Sequence, residues 1–260
     1  MKYIRFALAI LFTGALSSCL DSEEKIVINA DNSGMYTMSL DLGKMLEMAA
    51  TMGAKSESEK PKEKKDTVLY LKDLLDSANN LTADEKKIFR DAAINLKLDE
   101  EKNEMKLVLS CPFSDMKNLA AIKNNLFDVI KKVKAFEKTT GESAPEEENM
   151  QDSKMGMNSV NPVEDQFTFF AAAGKISNTI RDMPAYKSKV ANDSSLQMMQ
   201  QMTGMMDDFK YHTILVLPKA IKKYEGPGST VSPDKKTVTF ETTLTEMMEN
   251  PEKVSYNVEY

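Results

Sequence analysis

The 260-residue chain has no tryptophan, one histidine and two cysteines, and only 7% of its residues are aromatic. Each scarcity removes a class of function. One His and two Cys do not make the His/Cys ligand sets that hold zinc. Without Trp there is no broad aromatic platform of the kind that accompanies carboxylate pairs in sugar hydrolysis. A basic excess is missing too. With 34 Lys and Arg against 40 Asp and Glu, the formal charge is −6, the wrong sign for a phosphate-backbone-binding surface, so no nucleic acid partner is expected. There is no Gly-x-Ser-x-Gly elbow, no Gly-x-x-x-x-Gly-Lys phosphate loop and no His-Glu-x-x-His, so the chain is not expected to be an enzyme and no cofactor is implied. What the sequence does have is 42% hydrophobic residues, enough for a substantial core, and 19 methionines.

The first 18 residues read as an export signal. Lys2 and Arg5 precede an apolar run from Phe6 to Leu16. Eleven residues at about 1.5 Å each span roughly 16 Å, half of a bilayer core, so the run is too short to cross a membrane. It ends in Leu16-Ser17-Ser18-Cys19. This resembles the lipobox of bacterial lipoproteins, which implies cleavage between Ser18 and Cys19 by signal peptidase II and a lipid on the Cys19 thiol. Residues 19–24 then form a short tether. Its acids, Asp21, Glu23 and Glu24, resemble the export signal of Bacteroidetes surface lipoproteins, while a plain solvated linker reads equally from the residues. The implied location is the cell envelope, lipid-anchored at the outer membrane, on either face.

The remainder, 25–260, reads as one α+β domain. Ile26, Ile28 and Ala30 alternate with Lys25, Val27 and Asn29 up to Asp31-Asn32-Ser33-Gly34, and Tyr36, Met38 and Leu40 alternate with Met35, Thr37 and Ser39 beyond it, which is hairpin patterning. Asp31–Gly34 lacks the further ligands of a calcium loop. Asp41 can cap a helix over 42–52 with Met45, Leu46, Ala49 and Met52 on one stripe. A flexible polar loop is expected at 54–65, then a helix from Asp66 using Val68, Leu71, Leu75 and Ala78. Thr82-Ala83-Asp84-Glu85 fits a capping box. A second hairpin places Ile94, Leu96 and Leu98 opposite Met105, Leu107, Leu109, Cys111 and Phe113. Cys111 thus sits in an apolar row, a small core residue without the electropositive, accessible setting of a reactive thiol. Ser114 or Asp115 then caps a long helix to about Phe136, with Met116, Leu119, Ala120, Leu126, Phe127, Ile130 and Val133 as its stripe.

Residues 137–165 hold eight acids against two lysines, with no aromatic residue. Such a stretch cannot bury enough apolar surface to offset its ordering entropy and reads as a disordered acidic insertion. Beyond it, strand is expected over Phe167–Ile180, a loop to Ser194-Ser195, a helix over Leu196–Met206 and strand over Phe209–Leu217. Further strands, a short helix near Leu244–Met248 and a last strand through Tyr256 and Val258 follow. His212, alone on a strand, reads as structural. Hairpins separated by helices favour an antiparallel sheet with helices packed on one face, interrupted by the insertion. The Leu217-Pro218 strand end, the Pro233-Asp234-Lys235-Lys236 turn and the terminal strand are similar to those of uncharacterised Bacteroidetes lipoproteins. They also resemble, more distantly, the LppM-type lipoprotein domain, which implies an envelope α+β domain handling lipid.

Met198, Met199, Met202, Met205 and Met206 crowd nine residues. Their helical spacing is that of a core-facing helix, and Met fills irregular apolar gaps. The same cluster suits an adaptable surface for an apolar ligand or a partner helix, or soft thioether ligation of Cu(I). The function expected is therefore a lipid-anchored, non-catalytic binding or interaction module, for an apolar ligand or an envelope protein. The rival is a purely structural envelope lipoprotein with no small-molecule ligand.

Overall fold

The structure is a computed structural model, and it describes residues 21–44, 46–47, 62–135, 163, 166–203 and 208–260. The proposed export signal, Cys19 and nearly all of the acidic insertion lie outside the described residues.

Twelve strands and six helices are described in an α+β arrangement. The strands are β1 Asp21–Ile28, β2 Gly34–Asp41, β3 Lys64–Tyr70, β4 Ala93–Asp99, β5 Glu104–Phe113, β6 Phe167–Ala172, β7 Lys175–Ile180, β8 Lys210–Val216, β9 Lys223–Glu225, β10 Thr230–Val231, β11 Thr237–Thr243 and β12 Tyr256–Glu259. The helices are α1 Lys72–Leu75, α2 Ala83–Ile88, α3 Met116–Lys132, α4 Met183–Asn192, α5 Ser194–Thr203 and α6 Leu244–Glu249. Eight strands form one sheet in the order β10-β11-β8-β1-β2-β5-β4-β3, and four form a second, β6-β7-β12-β9.

Local chemistry explains the punctuation. The β1–β2 turn closes through Asn29 N–H donating to the Ser33 carbonyl at 2.7 Å and Ser33 N–H donating to the Asp31 carboxylate at 3.0 Å. Gly34 follows because a Cβ there would collide with the Val27 carbonyl and the Phe113 ring. Thr82 and Glu85 form the reciprocal box that starts α2, and Thr243 with Glu246 does the same for α6. Each such cap is worth about 1 kcal/mol. Asp115 caps α3 by accepting from Asn118 N–H at 2.9 Å.

The main core lies between the sheets and α3. Strand alternation sends Ile26, Ile28, Tyr36, Met38, Leu40, Ile94, Leu96, Leu107, Leu109 and Cys111 inward, where they meet Leu119, Ile122 and Leu126 of α3 and Phe169, Ile176 and Val258 of the smaller sheet. A second cluster gathers Phe167, Tyr186, Val190, Leu196, Met199, Phe209, Leu244, Met247 and Val254 under α4, α5 and α6.

Several expectations need correction. The stretch expected as tether is structured from Asp21, because β1 pairs with β2 from Ser22 onward and with β8 from Asp21. The loop expected through residue 65 gives way to strand at Lys64. The helix expected from Asp66 is instead β3 followed by the one-turn α1. Backbone pairing with β4 and β-branched Thr67 and Val68 outweigh the helical spacing there. Phe167–Ile180 is two strands turning at Gly174, whose φ of +84° suits glycine. The loop expected before Ser194 is α4, capped by Asp182 accepting from Ala185 N–H at 2.9 Å and carrying Pro in its first turn. The expected α+β class holds, its strands forming two mostly antiparallel sheets in which β1 runs parallel to β8. That pairing joins strands far apart in sequence, which removes the hairpin constraint that keeps neighbours antiparallel. In the expected 42–52 helix, residues 43, 44, 46 and 47 are helical, and the rest lies outside the described residues.

Candidate functional site

Most inward positions of the larger sheet are aliphatic, but one corner is not. Glu24 lies on the same face of β1 as buried Ile26 and Ile28, in register with Thr213 of β8, which in turn pairs with Phe240 of β11. The adjacent row runs Ser22, Tyr211 and Thr242. Opposite stands the inner row of the smaller sheet, Phe169, Asn178 and Tyr256. Lys123 enters from the middle of α3, on the face that also buries Leu119 and Leu126.

The Lys123 ammonium lies 3.0 Å from the Glu24 carboxylate, with side-chain exposures of 5% and 12%. Lysine is almost never this buried unless paired, because a desolvated ammonium without a counter-charge costs several kcal/mol. Asn178 is 8% exposed, and its Oδ1 is buried with no hydrogen-bond partner. Phe240 and Tyr256 stack with ring centroids 4.8 Å apart and close one wall. These groups, with Phe167, Pro227, Met247 and Val254, line a cavity of about 60 Å³. Phe240 and Tyr256 belong to the main core, and Phe167, Met247 and Val254 to the second cluster. The cavity therefore sits on the seam where the cap of α4, α5 and α6 meets the sheets.

Three hydroxyls near it are held neutral or engaged. Burial, reinforced by the Asp208 carboxylate, pushes the Tyr211 phenol far above its ordinary value. The Tyr186 hydroxyl donates to the Met247 carbonyl at 3.0 Å and ties α4 to α6, and burial raises it as well. Thr242 donates to the Glu246 carboxylate at 3.2 Å. At the start of β1, burial raises the Asp21 carboxyl despite the opposing fields of His212 and Lys210. His212 itself lies 3.5 Å from Glu241 on the neighbouring strand. The cavity can thus hold and orient a small polar group through an amide, hydroxyls and a self-neutralised ion pair. Among the described residues, no group of three or more His, Cys, Asp and Glu is placed to hold a metal ion.

Of the residues singled out from sequence, Ser18, Cys19, Met205 and Met206 lie outside the described residues. Met198 and Met202 fall within α5, and their side chains are likewise outside it. Met199 is buried at 9% exposure beside Leu196 in the second cluster, while Gln197, Gln200 and Gln201 face solvent. At Met199, core packing is what the helix does. Cys111 is fully buried in the main core, and desolvation pushes its thiol up to about 12. The sequence reads Glu24 as a tether acid and gives no role to Lys123 or Asn178, although each occupies a position of an apolar repeat. Lys123 falls between Leu119 and Leu126 at helical spacing, Glu24 two before Ile26, and Asn178 midway between Ile176 and Ile180.

The fold defines an α+β module of two sheets with a polar seam. No family model matches the chain, and no curated protein does. Among solved structures, the NMR structure of the folded domain of the LppM protein of Mycobacterium tuberculosis aligns at a TM-score of 0.36 and 10% identity. The alignment covers 93% of this chain and 90% of that one. A likeness this weak supports no functional transfer, so the reading below rests on the residues themselves. Among the described residues, no helix is long and apolar enough to cross a membrane.

Proposed function

We propose that this protein is a lipoprotein of the bacterial outer membrane, cleaved after Ser18, anchored through a lipid on Cys19, and acting as a non-catalytic binding or interaction module. The observation that carries the reading is the join between motif and fold. The Leu16-Ser17-Ser18-Cys19 pattern ends two residues before β1 starts at Asp21. Two residue steps reach at most about 7 Å. A lipid on Cys19 would therefore seat the folded body directly against the bilayer, with β1, an internal strand of the larger sheet, as the mechanical link. Two or more acyl chains make such attachment stable where one does not.

The cavity at the seam supports the binding half of the reading. At about 60 Å³ it is far below the roughly 300–1,000 Å³ of a site for a drug-sized ligand, so an acyl chain is not its occupant. The same economy of space supports the second reading, a structural lipoprotein whose surface meets an envelope protein. Metabolic labelling with an alkynyl fatty acid tests the anchor. The wild-type chain should take up label and a Cys19→Ala variant should not. Equal labelling of both, or of neither, would contradict it.

A further inference from the structure

We propose that the cavity at the sheet–cap seam is a binding site for a small neutral molecule bearing a hydroxyl or amide group on a short apolar body. The inference deepens the reading above. It rests on its binding half and is independent of the anchor.

Three observations define the ligand. The first is charge. Glu24 and Lys123 already neutralise each other at 3.0 Å inside the protein, so a charged guest would bring an uncompensated charge into a low-dielectric site. The second is the Asn178 amide, more than nine-tenths buried in the lining with its Oδ1 unpaired. A buried acceptor left without a donor is destabilising, and a guest that donates to it removes that penalty. A hydroxyl is donor and acceptor at once, so it satisfies the amide whichever end it meets. The third is shape. At roughly 10–15 Å³ per water-sized group, 60 Å³ accommodates about four to six such groups. The stacked rings of Phe240 and Tyr256, with Phe167, Met247 and Val254, supply apolar walls for the carbon part. Location agrees as well, since seams between packed units are preferred ligand sites.

The test uses the full-length protein in detergent, labelled with ¹³C-methyl methionine, with the Met247 resonance assigned through Met247→Leu. Three probes of matched size are titrated: 1-propanol, propylammonium and propionate. The proposal predicts a saturable shift of Met247 with 1-propanol alone. An Asn178→Leu variant should weaken that binding about tenfold, the loss of one hydrogen bond to a buried group. Thr213 also lines the cavity, so Thr213→Val, which removes a hydroxyl and keeps the volume, provides an independent weakened variant if Asn178→Leu does not fold. The wild-type response to the three probes decides the matter even without either variant. Equal shifts with the charged probes would overturn the proposal. So would a failure of 1-propanol to saturate at any concentration the fold tolerates, which would leave water as the occupant. Neither failure bears on the labelling of Cys19, so the two readings fall separately.

Discussion

Replacing Lys123 with Met takes the ammonium partner away from the Glu24 carboxylate. Glu24 would remain at about one-eighth exposure inside the molecule with its counter-ion gone. Breaking a buried pair from one side costs about 3–5 kcal/mol, because the remaining charge is left uncompensated. Against a total stability of about 5–15 kcal/mol this is a large fraction. At roughly 2–4 °C per kcal/mol for a chain of this size, the melting temperature should fall by about 6–20 °C. Glu24→Leu, which removes the carboxylate side of the pair instead, should cost a similar amount. The double variant carries neither charge and should lie within about 1–2 kcal/mol of wild type, since a buried pair and an apolar replacement of similar volume are close in energy. Urea unfolding of the four proteins closes the cycle, with a coupling of about 3 kcal/mol or more expected. Single variants that each cost under about 1 kcal/mol and add without coupling would refute the claim that this pair is desolvated and holds β1 to α3.

The remaining predictions concern individual groups. Hydrogen bonds from the Thr82 backbone and from the Lys132 and Thr82 side chains hold the Glu85 carboxyl at about 2, against 4.5 for the free group. The folded value is depressed, so Glu85 stabilises the fold above its ordinary value and loses that contribution as pH falls from about 4.5 to 2. Stability measured across that window should be less pH-dependent in Glu85→Gln, and an unchanged profile would count against the cap. Cys111, its thiol raised to about 12 by burial, should resist a thiol reagent at pH 8 in the native state and react on unfolding. Rapid native modification would show the site to be open. Met199→Ala should destabilise by about 2–5 kcal/mol as a core truncation, whereas Gln200→Ala on the solvent side should change stability by under about 0.5 kcal/mol.

Periodic elements were legible from the residues. The Asn–Ser–Gly turn between Ile28 and Tyr36, the hairpin that buries Cys111, the Thr82 capping box and the α3 stripe all follow from local chemistry, and each is where its pattern places it. Non-local elements were not legible. Pairing of β1 with β8 depends on contact across most of the chain, and nothing near Glu24 announces it. The same holds for β3, whose helical spacing yields to pairing with β4. Helix α4 was hidden because Tyr186 and Val190, its two buried residues, are separated by Lys187, Ser188 and Lys189. The site itself is written as exceptions. A lysine on the apolar stripe of α3, a glutamate in the inward series of β1 and an asparagine between two isoleucines each look like a neutral interruption. Only the fold shows that the three interruptions meet.

The central claim, that Cys19 joins this fold to a membrane, is tested most directly by the intact mass of the protein extracted from the membranes of its producing cell. The account predicts the mass of residues 19–260 increased by that of a diacylglyceryl group, with or without a further N-terminal acyl chain, and the modification placed on Cys19 by fragmentation. A chain that begins elsewhere, or one that begins at Cys19 with a free thiol, would contradict it.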